Sequence, residues 1–199
     1  MTGRNSWRLA PGAVDLRRPP QPERPLELAA LPQRLTLDLA RTAVVVVDMQ
    51  NDFCAPAGWL ASIGVDVSGA AAPVAALERT LPRLRAADVP VVWLNWGNRP
   101  DLANLPPGVR HVYDPDGAST GIGDPLPNGS HVLELGSWSA AVIDGLTVDP
   151  ADLHVAKYRM SGVWDTPLDS VLRNLRVDTL LFAGVNVDQC VLATLVDGA

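Results

Sequence analysis

Only two cysteines, Cys54 and Cys190, occur in the 199 residues, and their spacing matches no disulfide framework. Their scarcity excludes a disulfide-stapled scaffold and points to free thiols in a reducing cytoplasm. Positive charge is also in short supply: 16 Lys and Arg against 22 Asp and Glu leave a net charge of -6 and a pI near 4.9. A nucleic-acid or anionic-membrane partner would need a basic face, so both are excluded from the expected partners. Long apolar runs are missing as well, since the longest purely aliphatic stretch, Ala43 to Val47, is far too short to span a bilayer. The stretch from Met1 to Arg8 has no apolar core behind its charges and does not read as a secretory signal. His111 and His131 lack metal-ligand spacing and read as surface or loop hydrogen-bonders. Gly121-Ile122-Gly123 lacks the third glycine, the preceding strand and the following helix of a phosphate loop.

What is present is apolar residues in strand-sized and helix-sized blocks. At 47% hydrophobic content the chain can form one domain that buries on the order of 70% of its unfolded surface. Residues 1–36 are set apart: Pro11, Pro19, Pro20, Pro22, Pro25 and Pro32 among arginines and glutamates resist both helix and sheet. An extended arm is expected there, either disordered or laid across the body or a neighbouring subunit, with Trp7 and Leu26-Glu27-Leu28 as docking points. Leu35 to Leu39 leads into a first core strand of unbroken valines, suited to burial on both faces. Ala70 to Ala87 reads as a helix with Val74, Leu77, Leu81 and Leu84 on one face and Pro73 in its first turn, while Pro82 would kink or end it. Val89 to Leu94 is a second strand. Residues 97–136 show no periodicity, which in a compact domain marks a lid or subunit contact. Trp138 to Leu146 reads as a short helix, Asp152 to Lys157 as a third strand and Thr179 to Gly184 as a fourth. Between the last two, Asp165 or Thr166 caps a helix with Leu168, Val171, Leu172 and Leu175 as its buried stripe. Strands separated by helical segments predict βαβ units, a doubly wound α/β domain over 37–199 with a mostly parallel sheet between two helical layers.

Three strands end abruptly on chemistry. Ala43 to Val47 runs into Asp48, the third strand ends at Lys157, and the fourth turns through Gly184 to Val187 into a helix that starts near Cys190. In a parallel sheet all C-terminal strand ends share one edge, where ligands bind. A thiol at a helix start meets unpaired N–H groups that favour thiolate and offer donors to an oxyanion. Carboxylate, ammonium and thiol together supply the base, cation and nucleophile of covalent acyl transfer. The competing reading of Cys190 is a small buried hydrophobe. Polar groups crowd after the first strand at Gln50, Asn51 and Asp52, a costly cluster unless it faces water or a ligand.

The motifs Val-Val-Asp-Met-Gln-Asn-Asp-Phe around Asp48, Lys-Tyr-Arg-Met-Ser-Gly from Lys157, and Gly-Val-Asn-Val-Asp-Gln-Cys-Val ending at Val191 resemble those of isochorismatase-like cysteine hydrolases. The likeness covers Leu35 to Ala199, and Arg159 to Arg173 looks closest to the ureidoacrylate amidohydrolase branch. The resemblance implies a cytoplasmic, homo-oligomeric hydrolase of a small amide or ureido compound, working through a thioester on Cys190. It assigns Asp48, Lys157 and Cys190 to a catalytic triad, and backbone donors at Asn186 and Cys190 to the oxyanion beside a cis Val185–Asn186 peptide. Asn95, Trp96, Tyr158, Arg159 and Trp164 adjoin the rim and are candidate substrate contacts, Arg159 as a partner for a substrate carboxylate. No cofactor is implied, and Asn95-Trp96-Gly97-Asn98 replaces the Asp-x-His of metal-binding relatives, so no metal is expected. Val187 stands where relatives commonly have threonine. Relatives continue past the cysteine helix with another strand and helix, so the resemblance implies a sheet edge left open at Ala199. Two other readings stay in play: vinyl-ether hydrolysis of the true isochorismatase type, and a non-catalytic binding or assembly subunit.

Overall fold

The computed structural model describes residues 2–199; Met1, the first residue of the stretch read for a secretory signal, lies outside them. The arm carries two short antiparallel hairpins, β1 (Arg8–Ala10) with β2 (Ala13–Asp15) and β3 (Pro25–Leu28) with β4 (Leu35–Asp38). These are strands that the proline content had argued against. They form because the prolines stand in the turns, in the connecting stretch, or at the first residue of β3, where no ladder N–H is needed. The segment at Leu35 therefore belongs to the arm, and a 3-10 turn, Leu39–Arg41, separates it from the core. Arginines fasten the arm to the body. Arg4 donates to the carbonyls of Ala40 and Asp88, both at 2.8 Å, Arg24 to those of Leu39 and Ala87, and Arg18 to the carbonyl and side chain of Asn174.

The core begins with β5 (Thr42–Val47), buried at every position. Two short helices, α1 (Asn51–Cys54) and α2 (Trp59–Ser62), precede the long α3 (Ala71–Ala86). Pro82 neither ends nor interrupts α3. It sits on the exposed face, where the carbonyl it leaves unpaired can bind water. Then come β6 (Val91–Trp96), α4 (Pro107–Tyr113) within the otherwise irregular 97–136 stretch, β7 (Leu153–Lys157), α5 (Leu168–Asn174) and β8 (Thr179–Gly184). A π-type turn, Val187–Val191, leads into α6 (Leu192–Gly198). The N-cap of α5 is Pro167 rather than the expected Asp165 or Thr166; the Thr166 hydroxyl, one residue earlier, accepts from the Leu168 N–H at 3.1 Å.

One sheet, all parallel, holds the core strands in the order β7-β6-β5-β8. One face packs Val45, Val47, Leu94 and Val155 against Leu168, Leu172, Cys190 and Val191; the other packs Val44, Val46 and Trp93 against Leu77 and Leu81 of α3. The chain leaves β5 towards the α3 face and leaves its neighbour β8 towards the opposite face. Adjacent strand ends with connections to opposite sides open a crevice at the sheet's C-terminal edge, the usual ligand position in such folds.

Trp138 to Leu146 is not a helix but a series of turns. Its backbone is claimed elsewhere: Asn51 N–H donates to Ala141 O, Asp52 N–H to Ser139 O, and Ile143 N–H to Met49 O. The Gln50 amide donates to Ala140 O at 2.7 Å and that of Asn51 to Trp138 O at 2.9 Å. The polar cluster after Asp48 thus clamps a neighbouring loop instead of facing ligand, and tertiary hydrogen bonds override the local helical pattern.

Gly184, at φ 121°, is required by this packing: a Cβ there would stand 2.0 Å from the Val47 carbonyl oxygen. Gly184→Ala is expected to cost about 2 kcal/mol or more and to lower the midpoint of thermal unfolding by about 4 °C or more, read by calorimetry. An unchanged midpoint would mean that β5 and β8 can separate freely at the site.

Candidate active site

Parallel register places the three strand ends side by side. Trp96 pairs with Lys157, Val47 with both Leu94 and Gly184, and the Asp48 N–H donates to Leu94 O at 3.0 Å. Asp48 adopts a left-handed φ of 49°, which turns the chain out of the strand and leaves its carboxylate in the crevice. Lys157 Nζ lies 2.9 Å from Asp48 Oδ2, donates to Cys190 Sγ at 3.2 Å and to Arg159 O at 3.2 Å, and stands 4.3 Å over the Trp96 ring. Asp48 Oδ1 accepts the Trp96 N–H at 2.9 Å, a donor shared with Gln50 Oε1 at 2.7 Å. Asp48 Oδ2 accepts no aligned hydrogen bond from the described residues. Its contact with the ammonium is an ion pair, so its lone pairs remain open to a thiol or water proton. The charged side chains are shut away from solvent, Lys157 at 0% and Asp48 at 1% exposure.

Burial also governs the thiol. The Cys190 pKa is pushed up to about 12, first by burial and then by the Asp48 charge, with the Lys157 ammonium pulling it back only in part. This corrects the expectation that a helix start alone would favour thiolate: enclosure and the Asp48 charge leave Cys190 resting as a thiol. Cys54, buried in α1, is also raised, to about 11.

The thiol opens into a cavity of about 220 Å³ walled by Phe53, Trp59, Leu60, Tyr113 and Ile122, with Asn186 and Gln189 at its polar side. Trp59 is held by the Asp52 carboxylate, which accepts its N–H at 3.2 Å and that of Leu133 at 2.8 Å, and by Thr120 O, which accepts its indole N–H at 2.7 Å. The peptide bond Val185–Asn186 is cis, as the motif resemblance implies.

A family model, the Isochorismatase domain, matches residues 42–199. The chain belongs to the isochorismatase family. Among curated relatives it is 39% identical over 172 residues to ureidoacrylate amidohydrolase RutB of Methylobacterium radiotolerans, covering 86% of this chain and 66% of that protein. The corresponding enzyme of Methylorubrum extorquens is 36% identical, over 86% of this chain and 69% of its own length. The chain thus spans about two thirds of these relatives. Among solved structures, a cysteine hydrolase from Pseudomonas syringae pv. phaseolicola superposes with a TM-score of 0.67 at 31% identity, covering 81% of this chain and 67% of that one. N-carbamoylsarcosine amidase from Thermoplasma acidophilum follows at a TM-score of 0.57 and 27% identity, over 79% and 75%.

Within this isochorismatase-family fold the structure brings Asp48, Lys157, Cys190, Asn186 and Trp96 together and separates the other sequence candidates. Asn95 alternates with Trp96 along β6, so it faces the opposite side of the sheet and lines a different cavity with Trp93. Tyr158 is half-buried against the core. Arg159 stacks on Tyr158 at 4.9 Å, pairs with Asp165 at 3.2 Å and donates to Asn104 O, which leaves it committed away from the cavity. Trp164 is 63% exposed and donates to Asp197 at 2.7 Å. None of these four lines the cavity of Cys190. Sequence reading missed Phe53, Trp59, Tyr113 and Gln189. Trp59 and Tyr113 lie on irregular or very short elements with no periodicity to flag them, whereas Phe53 and Gln189 adjoin the recognised motifs and their spacing could have pointed to them.

Proposed function

We propose that the chain is a cysteine amidohydrolase that cleaves a C–N bond of a small amide, ureido or carbamoyl compound through a thioester. The observation that carries this reading is a thiol, an ammonium and a carboxylate within ion-pair and hydrogen-bond reach at the floor of a small aromatic cavity. The activities of the relatives, a ureidoacrylate amidohydrolase and an N-carbamoylsarcosine amidase, support it.

Asp48 takes the Cys190 proton as sulfur attacks the carbonyl carbon, and the carbonyl π electrons move to oxygen. Backbone N–H groups at Asn186 and Cys190 are the assigned donors to that oxyanion, and removing one such donor costs about a hundredfold or more in turnover. Collapse breaks the C–N bond, and the amine leaves with the proton held by Asp48. Water then enters, gives a proton to Asp48 and its oxygen to the acyl carbon. The thioester breaks and the sulfur recovers its proton. Lys157, 2.9 Å from Asp48 Oδ2 and 3.2 Å from Cys190 Sγ, offsets the negative charge that develops between them. The reading extends to a homo-oligomeric enzyme of the cytoplasm; no helix among the described residues is long and apolar enough to cross a membrane.

The test is ammonium release from ureidoacrylate-like acids, carbamoyl amino acids, biuret and nicotinamide, with Cys190→Ala alongside. Turnover of at least one substrate by the unaltered chain and none by the variant is the expected result. Turnover that survives the substitution would remove the thioester on Cys190, and silence across the panel from folded protein would remove the reading in favour of a binding or assembly subunit.

A further inference from the structure

The cavity that holds Cys190 has one polar group whose present partner is a poor one. Tyr113, the last residue of α4, turns its ring edge-on to Trp59 at 5.8 Å and points its hydroxyl at the Met160 sulfur, 3.6 Å away. A thioether is a weak acceptor, so this bond is readily exchanged for a better one. The same sulfur lies 3.7 Å from Cys190 Sγ, so a single atom spans the gap between phenol and nucleophile. That gap suits a substrate a few bonds long, with its reacting carbonyl at one end.

Lys157 and Asp48 face each other, and the Trp59 indole N–H is given to Thr120 O. Asn186 and Gln189, both exposed, make the polar side of the cavity, and Phe53, Leu60, Val65 and Ile122 make an apolar wall. Tyr113 is thus a placed donor set among apolar side chains. Burial, and after it the Asp48 charge in the same cavity, push its pKa up to about 12, so it stays protonated and donates throughout the working range.

Resting on the amidohydrolase reading, we propose that Tyr113 is a specificity-determining residue whose hydroxyl leaves Met160 and donates to an acceptor oxygen on the substrate beyond the scissile carbonyl. The site thereby selects ureides and N-carbamoyl acids, which carry a second carbonyl or carboxylate, over amides and ureas that end in a hydrocarbon. An unmet donor facing a hydrocarbon tail is the penalty that enforces the choice.

The experiment compares the unaltered chain with Tyr113→Phe, which keeps the ring against Trp59 and removes only the hydroxyl. N-carbamoylglycine, biuret and N-propylurea share a ureido group and differ in the distal end: a carboxylate, a neutral carbonyl and a hydrocarbon. The variant is expected to lose about ten- to hundredfold in kcat/KM on N-carbamoylglycine, biuret or both, and less than about threefold on N-propylurea, with an unchanged melting temperature. Which of the first two suffers more identifies the acceptor as carboxylate or carbonyl. Equal losses on all three, or no loss on any, would overturn the assignment while leaving the hydrolase reading intact. Failure of the unaltered chain to cleave any of them, and any of the wider amide panel, would overturn both.

Discussion

Replacing Cys190 by serine is expected to lower turnover at least about ten-thousandfold while the folded state persists. The two side chains differ by one atom, so the wall of the cavity and the start of α6 are kept. The chemistry is not. A serine hydroxyl is far less acidic than a thiol, and a carboxylate paired with Lys157 is too weak a base to make an alkoxide in its place. The shorter C–O bond also draws the nucleophile back from the substrate. Loss of activity must therefore appear without a matching loss of stability, and ammonium release beside thermal unfolding separates the two. A serine form that keeps more than about a hundredth of the rate would show that sulfur forms no covalent intermediate. Direct attack of water activated by Asp48 would then be the better account.

The parts of this site that were legible in the sequence are those where an apolar run meets a charge. Ala43 to Val47 could only be a strand buried on both faces, and such a strand must end where Asp48 begins; Lys157 and Cys190 follow the same logic. What the sequence withheld was strand order. Nothing local states that β5 sits between β6 and β8, and this is what brings residues 48, 157 and 190 within a few ångströms. The face of Asn95 was legible from its alternation with Trp96, yet adjacency to the rim outweighed it. The walls were hidden for another reason. Trp59 owes its place to hydrogen bonds from its N–H to Asp52 and from its indole to Thr120, and Tyr113 to its edge-on packing against Trp59, none of which leaves a periodic trace. Trp138 to Leu146 failed in the opposite sense, because a helical pattern was present but Gln50, Asn51 and Asp52 captured its backbone partners. The environment of the thiol was misjudged because a helix terminus can be read from sequence, whereas enclosure beside a carboxylate cannot.

Lys157→Met should be the most damaging change to stability and activity together. Methionine matches the length of the lysine and suits the apolar surroundings, so any loss traces to charge rather than to a hole. Without the ammonium, Asp48 is left as a carboxylate at 1% exposure with the Trp96 N–H as its donor. Removing one partner of a buried ion pair costs about 3–5 kcal/mol, because the remaining charge has neither solvent nor counter-charge. Asp48 can escape that penalty only by taking up a proton, and a protonated Asp48 cannot accept another from Cys190. Turnover therefore falls by at least about a thousandfold on either route. The double variant Asp48→Asn/Lys157→Met decides between charge and packing. With both charges gone it should recover most of the stability lost in Lys157→Met, and none of the activity, when followed by denaturant unfolding and ammonium release. If the double variant instead shows the sum of two independent losses, the pair is not coupled in the folded protein, and the role proposed for Lys157 as the counter-charge to Asp48 fails with it.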